Sequence, residues 1–296
     1  MVMFGWWVVN YSPIIKKSLV SDQIFVIKKG ESLSSIAQRL TEERLIRNAL
    51  FFKSYVRIRG LTKKVQAGSY KLNQSLDIGQ ITAIIVKNPV DIWLTFPEGW
   101  RKEEIAQRLS ANLDDFNKQE FLSLVENLEG KLFPDTYSIP LGINTSAVIE
   151  IFSKNFAKRT KDLNFKNEDL ILASIVEREV KDNQDRRVVA GILRKRLRQG
   201  WPLQADATIQ YALGKDSDWW PELSKKDLNI NSPYNTYKHQ GLPPTPICNP
   251  GLDSIKAALE PTETAYWFYI SDNQGKIHFA QTNEEHLQNI TNYLGI

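Results

Sequence analysis

The carboxyl of Glu177 stands where this sequence concentrates its chemistry. It lies in the run NEDLILASIVEREV, residues 167–180. Residues three and four apart share a helix face. Glu177 therefore projects beside Ala173, Ser174 and Val180, next to the apolar run Leu170-Ile171-Leu172. A glutamate is seldom fully buried without a partner, and three readings follow. It points into solvent along a helix edge, it pairs with Arg186 or Arg187 of the next helix, or it is desolvated and protonated. The last would make it a general acid, because burial raises a carboxyl's pKa. The helix pattern alone leaves all three open.

Two helices must hold that residue. The first opens at Asn167, a good N-cap, with Glu168 and Asp169 where the helix dipole favours negative charge. The second, DRRVVAGILRKRLRQG, is capped by Asp185 and carries the stripe Val188, Val189, Ile192, Leu193 and Leu197. Gly200 and Pro202 stop it. Upstream, QIFVIKK reads as a strand, Gly30 as a turn and Ser32 as the cap of an amphipathic helix. A helix over Ala49–Ile58, a strand in AGSYKL and a helix opened by Ser75 follow. Pro89 marks a boundary. Beyond it VDIWLTF is a strand, and helices are expected over Leu113–Glu126 and Thr145–Phe156.

Downstream, the stretch Ser232–Pro250 carries five of the chain's 13 prolines. A loop this long is functional or disordered, and its Tyr234, Asn235, Thr236 and Tyr237 argue for order. Asn249 then caps a helix, Asn273–Gly275 turns a hairpin, and Thr282 with Glu285 forms a capping box that opens the last helix. The fold class is α+β. A linker or anchor end over 1–21 precedes a small domain over 22–88 and a larger mixed domain with a helical core over 89–296.

Composition narrows the function. The chain has 296 residues, 42% of them apolar and 10% aromatic, with a formal net charge of +4. That is a folded protein of about two domains. The charge suits an anionic surrounding and is too small to imply nucleic acid. Cys248 is the single cysteine, so no internal disulfide can form. His239, His278 and His286 lack ligand spacing, and no glycine-rich phosphate loop appears, so neither a metal nor another cofactor is expected. The start, MVMFGWWVV, resembles the exit end of a membrane helix at the interface, though a spanning helix needs about 20 apolar residues.

The segments FPEGW, LEGKLFPDTY, ILASIVEREV, GILRKRLRQGWPLQADATIQYALG, SPYNTYKHQGLPPTPICNPG and IKAALEP occur in that order. Together they resemble the endolytic peptidoglycan transglycosylases of the MltG (YceG-like) family, over about residue 22 to residue 290. FVIKKGESLSSIAQRL resembles the start of a LysM sugar-binding module. The resemblance implies a LysM-like subdomain at 22–88 and a catalytic domain after it. It also implies cleavage of the MurNAc–GlcNAc bond within glycan strands, giving 1,6-anhydro ends and terminating strand elongation. Peptidoglycan strands would be the substrate and peptidoglycan synthases the candidate protein partners. The chain would sit at the cytoplasmic (inner) membrane on a single-pass anchor, here shortened, with its catalytic domain on the outer, periplasmic side.

The family's catalytic glutamate lies in the ASIVE motif, which implies Glu177. Arg178 and Glu179 point to other helix faces and read as supporting residues. Glycosidic cleavage needs a carboxyl that protonates the leaving oxygen, and an apolar setting supplies one near neutral pH. Gln204, Asp206, Thr208, Tyr234, Asn235 and Tyr237 are the candidates for gripping the sugars. Asp206 reads equally well as a helix cap, and the proline-rich loop as a rigid wrap. A lysozyme-like hydrolase and a non-catalytic glycan-binding scaffold are the competing functions.

Overall fold

The computed structural model describes residues 2–15, 21–28, 30–87, 90–113, 116–141, 143–180, 182–216 and 218–295. The Lys16-Lys17 stretch and the boundary at Pro89 lie outside them. Two compact units form: Met1–Leu94 with Ser110–Phe116 and Thr136–Thr145, and Thr95–Leu109 with Asn117–Asp135 and Ser146–Ile296.

The first unit opens with α1 (Val2–Tyr11), followed by β1 (Gln23–Ile27), α2 (Leu33–Glu42), α3 (Ala49–Ile58), β2 (Gly68–Leu72) and α4 (Ile78–Ile85). β1 and β2 pair antiparallel with Phe25 opposite Tyr70, and both side chains are fully buried. Ser32 caps α2 by accepting the Ser35 amide, and that helix turns Ile36, Ala37 and Leu40 into the core. The expected start of α4 at Ser75 moves to Asp77, where Asp77 and Gln80 form a reciprocal capping box. Ser75 instead bonds Asn73 through its amide and hydroxyl. On α1, Trp6 packs edge-on against Phe51, and Tyr11 packs on Tyr55. Among the described residues no helix is long and apolar enough to cross a membrane.

Next along the chain come β3 (Asp91–Phe96), α5 (Lys102–Ser110), α6 (Lys118–Leu124), β4 (Asp135–Pro140) and α7 (Thr145–Arg159). β3 and β4 form a second two-stranded sheet. α6 is shorter than expected because Asn117 caps it by accepting the Glu120 amide.

The second unit is built on α8 (Asn167–Glu179), which packs on α9 (Asn183–Arg198), α10 (Asp206–Leu213) and α11 (Leu252–Leu259). Leu170 to Val176 of α8 are all buried. Each such aliphatic side chain contributes roughly 2 kcal/mol of burial, so α8 is a firm mount for the residues that follow it. The cap positions differ from expectation by one to three residues. Asn167 is already helical, with Asp169 reaching back to the Lys166 amide. Asp182, not Asp185, caps α9 by accepting the Gln184 amide. Gly251, not Asn249, caps α11. Asn249 is buried, donating to the Trp100 carbonyl and Glu129 and accepting the Leu132 amide.

The proline-rich loop is ordered by Asn235, which donates to the carbonyls of Leu228 and Ile230 and accepts the Tyr237 amide. β5 (Phe268–Ser271) and β6 (Ile277–Ala280) form the antiparallel hairpin, and α12 (Asn283–Leu294) follows, capped by Thr282.

Candidate active site

The last turn of α8 carries two glutamates with opposite environments. At 3.6 residues per turn, positions two apart differ by about 200° around the axis. Glu177 turns inward, and its side chain is only 5% exposed. One carboxylate oxygen accepts from Arg186 Nη2 at 3.1 Å, and the other accepts the Gly251 amide at 2.8 Å. Arg186 is itself held by the Val180 carbonyl and Asn183. The Glu98 carboxyl fills the place that a side chain on Gly251 would take. Of the three readings open to Glu177, these contacts are those of the pairing with Arg186.

Glu179, the last helical residue, turns toward a cavity of about 590 Å³. Arg196, Gln204, Asp206, Tyr237, Tyr269 and His286 also line that cavity. Burial, and then the Asp206 carboxylate, push the Glu179 carboxyl up to about 7. Hydrogen bonds from Tyr269 and the Ala207 amide, and the charge of Arg196, work against that rise without cancelling it. The Tyr269 hydroxyl lies 3.3 Å from Glu179 Oε2, and burial raises its own pKa well above the ordinary value, so it remains a donor. Arg196 fixes the cavity's frame. It donates to the Leu203 carbonyl at 2.7 Å and twice to the Trp267 carbonyl, at 3.0 and 2.7 Å.

The expected sugar-gripping residues divide. Gln204, Asp206 and Tyr237 line the Glu179 cavity. Gln204 sits at φ +51, a conformation non-glycine residues rarely adopt and one that clusters at functional sites. The Tyr237 hydroxyl donates to Asp206 at 2.5 Å. Asp206 opens α10, one residue past the N-cap Ala205. Thr208 and Asn235, two of the candidates for gripping the sugars, are fully buried. Thr208 bonds the Ala205 carbonyl and Thr236, and Asn235 is spent inside its own loop. Tyr234 lies outside the cavity, packing on Tyr211 with its hydroxyl on Thr245.

Sequence reasoning missed Glu179, Arg196, Tyr269 and His286 as cavity residues. One signal was available: an arginine on the next helix that captures Glu177 leaves Glu179 as the other carboxyl of the turn. Among the described residues no group of three or more His, Cys, Asp or Glu could hold a metal ion. A wider groove of about 840 Å³, lined by Ile171, Leu197 and Leu242 among others, contains neither Glu177 nor Glu179. The 590 Å³ cavity thus offers one carboxyl protonated near neutral pH, a second carboxylate and phenolic donors. That is the equipment of general acid–base chemistry on a hydroxylated substrate.

A family model described as the YceG-like family matches residues 25–292. A Bacillus subtilis (strain 168) protein named endolytic murein transglycosylase is 32% identical over 314 residues, covering 93% of this chain and 85% of that protein. A protein of the same name from Streptococcus pneumoniae serotype 2 is 29% identical over 318 residues; the match covers 90% of this chain and 58% of the relative's length. A crystal structure of a yceG-like protein from Listeria monocytogenes aligns with a TM-score of 0.59 at 29% identity. It covers 91% of this chain and 99% of that one.

Proposed function

The chain belongs to the YceG-like family and is by that membership a lytic transglycosylase, and from this premise we propose that it cuts peptidoglycan strands internally with Glu179 as its acid and base. The observation that carries the reading is the Glu179 carboxyl, raised to about 7 in a cavity shared with Gln204, Asp206 and Tyr237. Glu177, the residue the ASIVE motif implies, accepts from Arg186 Nη2 and the Gly251 amide and is the alternative acid.

Protonated Glu179 gives its proton to the glycosidic oxygen, and the bond from that oxygen to C1 of N-acetylmuramic acid breaks. Positive charge develops on the ring, beside the Asp206 carboxylate. The sugar's own C6 hydroxyl then closes on C1, and ionised Glu179 takes the released proton. The carboxyl ends as it began, no water is consumed, and the new end is a 1,6-anhydro sugar. One group serves twice because its pKa lies near the working pH.

A second reading has its own observation. Asp206 shares the cavity with Glu179, and a hydrolase uses two carboxyl groups across the bond. Digestion of glycan strands in oxygen-18 water separates the two. Ends lighter by one water and free of label are expected; labelled reducing ends would overturn the intramolecular route and make Asp206 the second carboxylate.

The strand–helix–helix–strand order of the first unit supports a LysM-like role in holding the strand. In this reading α1 is the exit end of an anchor in the cytoplasmic membrane. Catalysis then happens on the outer face, where peptidoglycan synthases extend strands and this enzyme terminates them.

A further inference from the structure

α3 turns one face into the core of the first unit and leaves another bare. Phe51, Phe52 and Val56 are buried. Leu50, Ser54, Arg57 and Ile58 share one helix face by their spacing, and all four are exposed, Leu50 by 69% and Ile58 by 85%. Beside them, Trp6 and Trp7 of α1 are half-exposed. Both indoles meet the Phe51 ring edge-on, with centroids 5.5 and 6.0 Å apart. A cleft of about 430 Å³ is lined by Trp6, Trp7, Leu50, Phe51, Tyr55 and Ile58, together with Arg59. Large apolar side chains gathered in one exposed place mark a surface that something else covers.

The charge around this patch selects the partner. From Arg44 to Lys64 the chain carries Arg44, Arg47, Lys53, Arg57, Arg59, Lys63 and Lys64, and no Asp or Glu. All but the half-buried Lys53 are exposed. The whole chain has a net charge of only +4, so the rest of it is net negative. Glu43, just ahead of the stretch, is paired with Arg39. We propose that this face of the first unit docks on the surface of an anionic phospholipid bilayer. Leu50, Ile58 and the two indoles enter the boundary between headgroups and acyl chains, and the basic residues lie against lipid phosphates. Indoles favour that boundary, and a helix with an apolar face and basic flanks lies in it. Each Lys or Arg near an anionic surface adds to the attraction. A soluble anionic polymer would engage the charges and leave Leu50 and Ile58 in water. A second copy, meeting the same patch across a two-fold axis, would set basic residues against basic residues. Docking through α3 is a contact separate from any span that α1 belongs to, and independent of the chemistry on α8. It fixes the first unit to the bilayer at a second point.

The test is co-sedimentation of the full chain with vesicles of phosphatidylcholine, with and without phosphatidylglycerol. The parent should bind the phosphatidylglycerol vesicles about 10-fold more tightly or better, and added salt should weaken that binding. Leu50→Ser with Ile58→Ser should cost about 10-fold in affinity, the worth of two partly inserted aliphatic side chains, at an unchanged unfolding midpoint. Arg57→Gln with Arg59→Gln should shrink the preference for phosphatidylglycerol. A third variant, Ser54→Cys, accepts an environment-sensitive thiol dye at the patch, because the native Cys248 is buried. The dye emission should shift to the blue when the chain binds vesicles. An unshifted dye on a vesicle-bound chain overturns the proposal, since α1 alone would then make the contact. Equal affinity of the parent and the Leu50→Ser, Ile58→Ser chain overturns it as well, as does indifference of the parent to phosphatidylglycerol. A parent that ignores vesicles and forms a dimer that the same double variant abolishes assigns the patch to a second copy, and also overturns it.

Discussion

Glu177 and Glu179 leave the same turn of α8 for different surroundings: Glu177 is locked between Arg186 and the Gly251 amide, while Glu179 enters a cavity beside Asp206. Glu179→Gln should therefore cut glycan cleavage by about a hundredfold or more, the usual weight of a general acid, at an unchanged unfolding midpoint. A folded Glu179→Gln chain with near-normal turnover would return the acid to Glu177.

Glu177 should fail in the other way. Its side chain is 5% exposed and that of Arg186 is 8% exposed. Glu177→Ala strands a buried guanidinium, a loss of about 3 kcal/mol. Combining it with Arg186→Met should recover most of that loss, since an apolar replacement of a buried pair is close to neutral. Denaturant unfolding of the two variants reads both outcomes. A fully stable Glu177→Ala chain would contradict the account.

The acid step needs Glu179 protonated, so cleavage should fall as pH rises through about 7. The Asp206 carboxylate is the second cause of that elevation. Asp206→Asn removes its charge while keeping its shape, and the alkaline limb of the pH–rate profile should move to lower pH. A limb that stays in place, or moves up, would remove Asp206 from the tuning of Glu179.

Stability should carry its own pH signature through Glu129. This buried carboxyl accepts the Lys102 amide, Asn249 and the Tyr211 hydroxyl. Burial, then Glu103, push it up to about 8 from an ordinary 4.5. Between those two values the folded chain holds a proton that the unfolded chain has released. Its contribution to stability therefore falls as pH rises across that window. Glu129→Gln should flatten the slope of unfolding free energy against pH from about 5 to about 8. An unchanged slope would mean the burial is relieved in solution.

Gln204 offers a test of strain. Its left-handed backbone costs about 1 kcal/mol, and a glycine's extra unfolded-state freedom costs about 0.5 to 1 kcal/mol. These nearly cancel, so Gln204→Gly should melt within a few degrees of the parent. Cleavage should still drop, because a cavity side chain is lost. A large fall in melting temperature would show that the side chain holds the fold instead.

Elements with a clear period were legible in the sequence, and α3 matches its expected span of Ala49–Ile58. Helix starts slipped wherever two cap-forming residues stood close, as at Ser75 with Asp77 and Asp185 with Asp182. Gln204, Asp206 and Tyr237 stand out in the sequence as polar and aromatic residues, and they line one cavity. Thr208 and Asn235 carry the same signal, and only burial tells them apart. The different surroundings of Glu177 and Glu179 rest on contacts that no local pattern contains. Gly251 lies 74 residues from Glu177, and Tyr269 lies 90 from Glu179.

The cavity wall is strung along the chain from Glu179 to Leu294. Synthesis proceeds from the N-terminus, so α8 emerges long before α12. The cavity around Glu179 is therefore complete only once the chain has been made through Leu294, and a copy stopped before α12 lacks one of its walls.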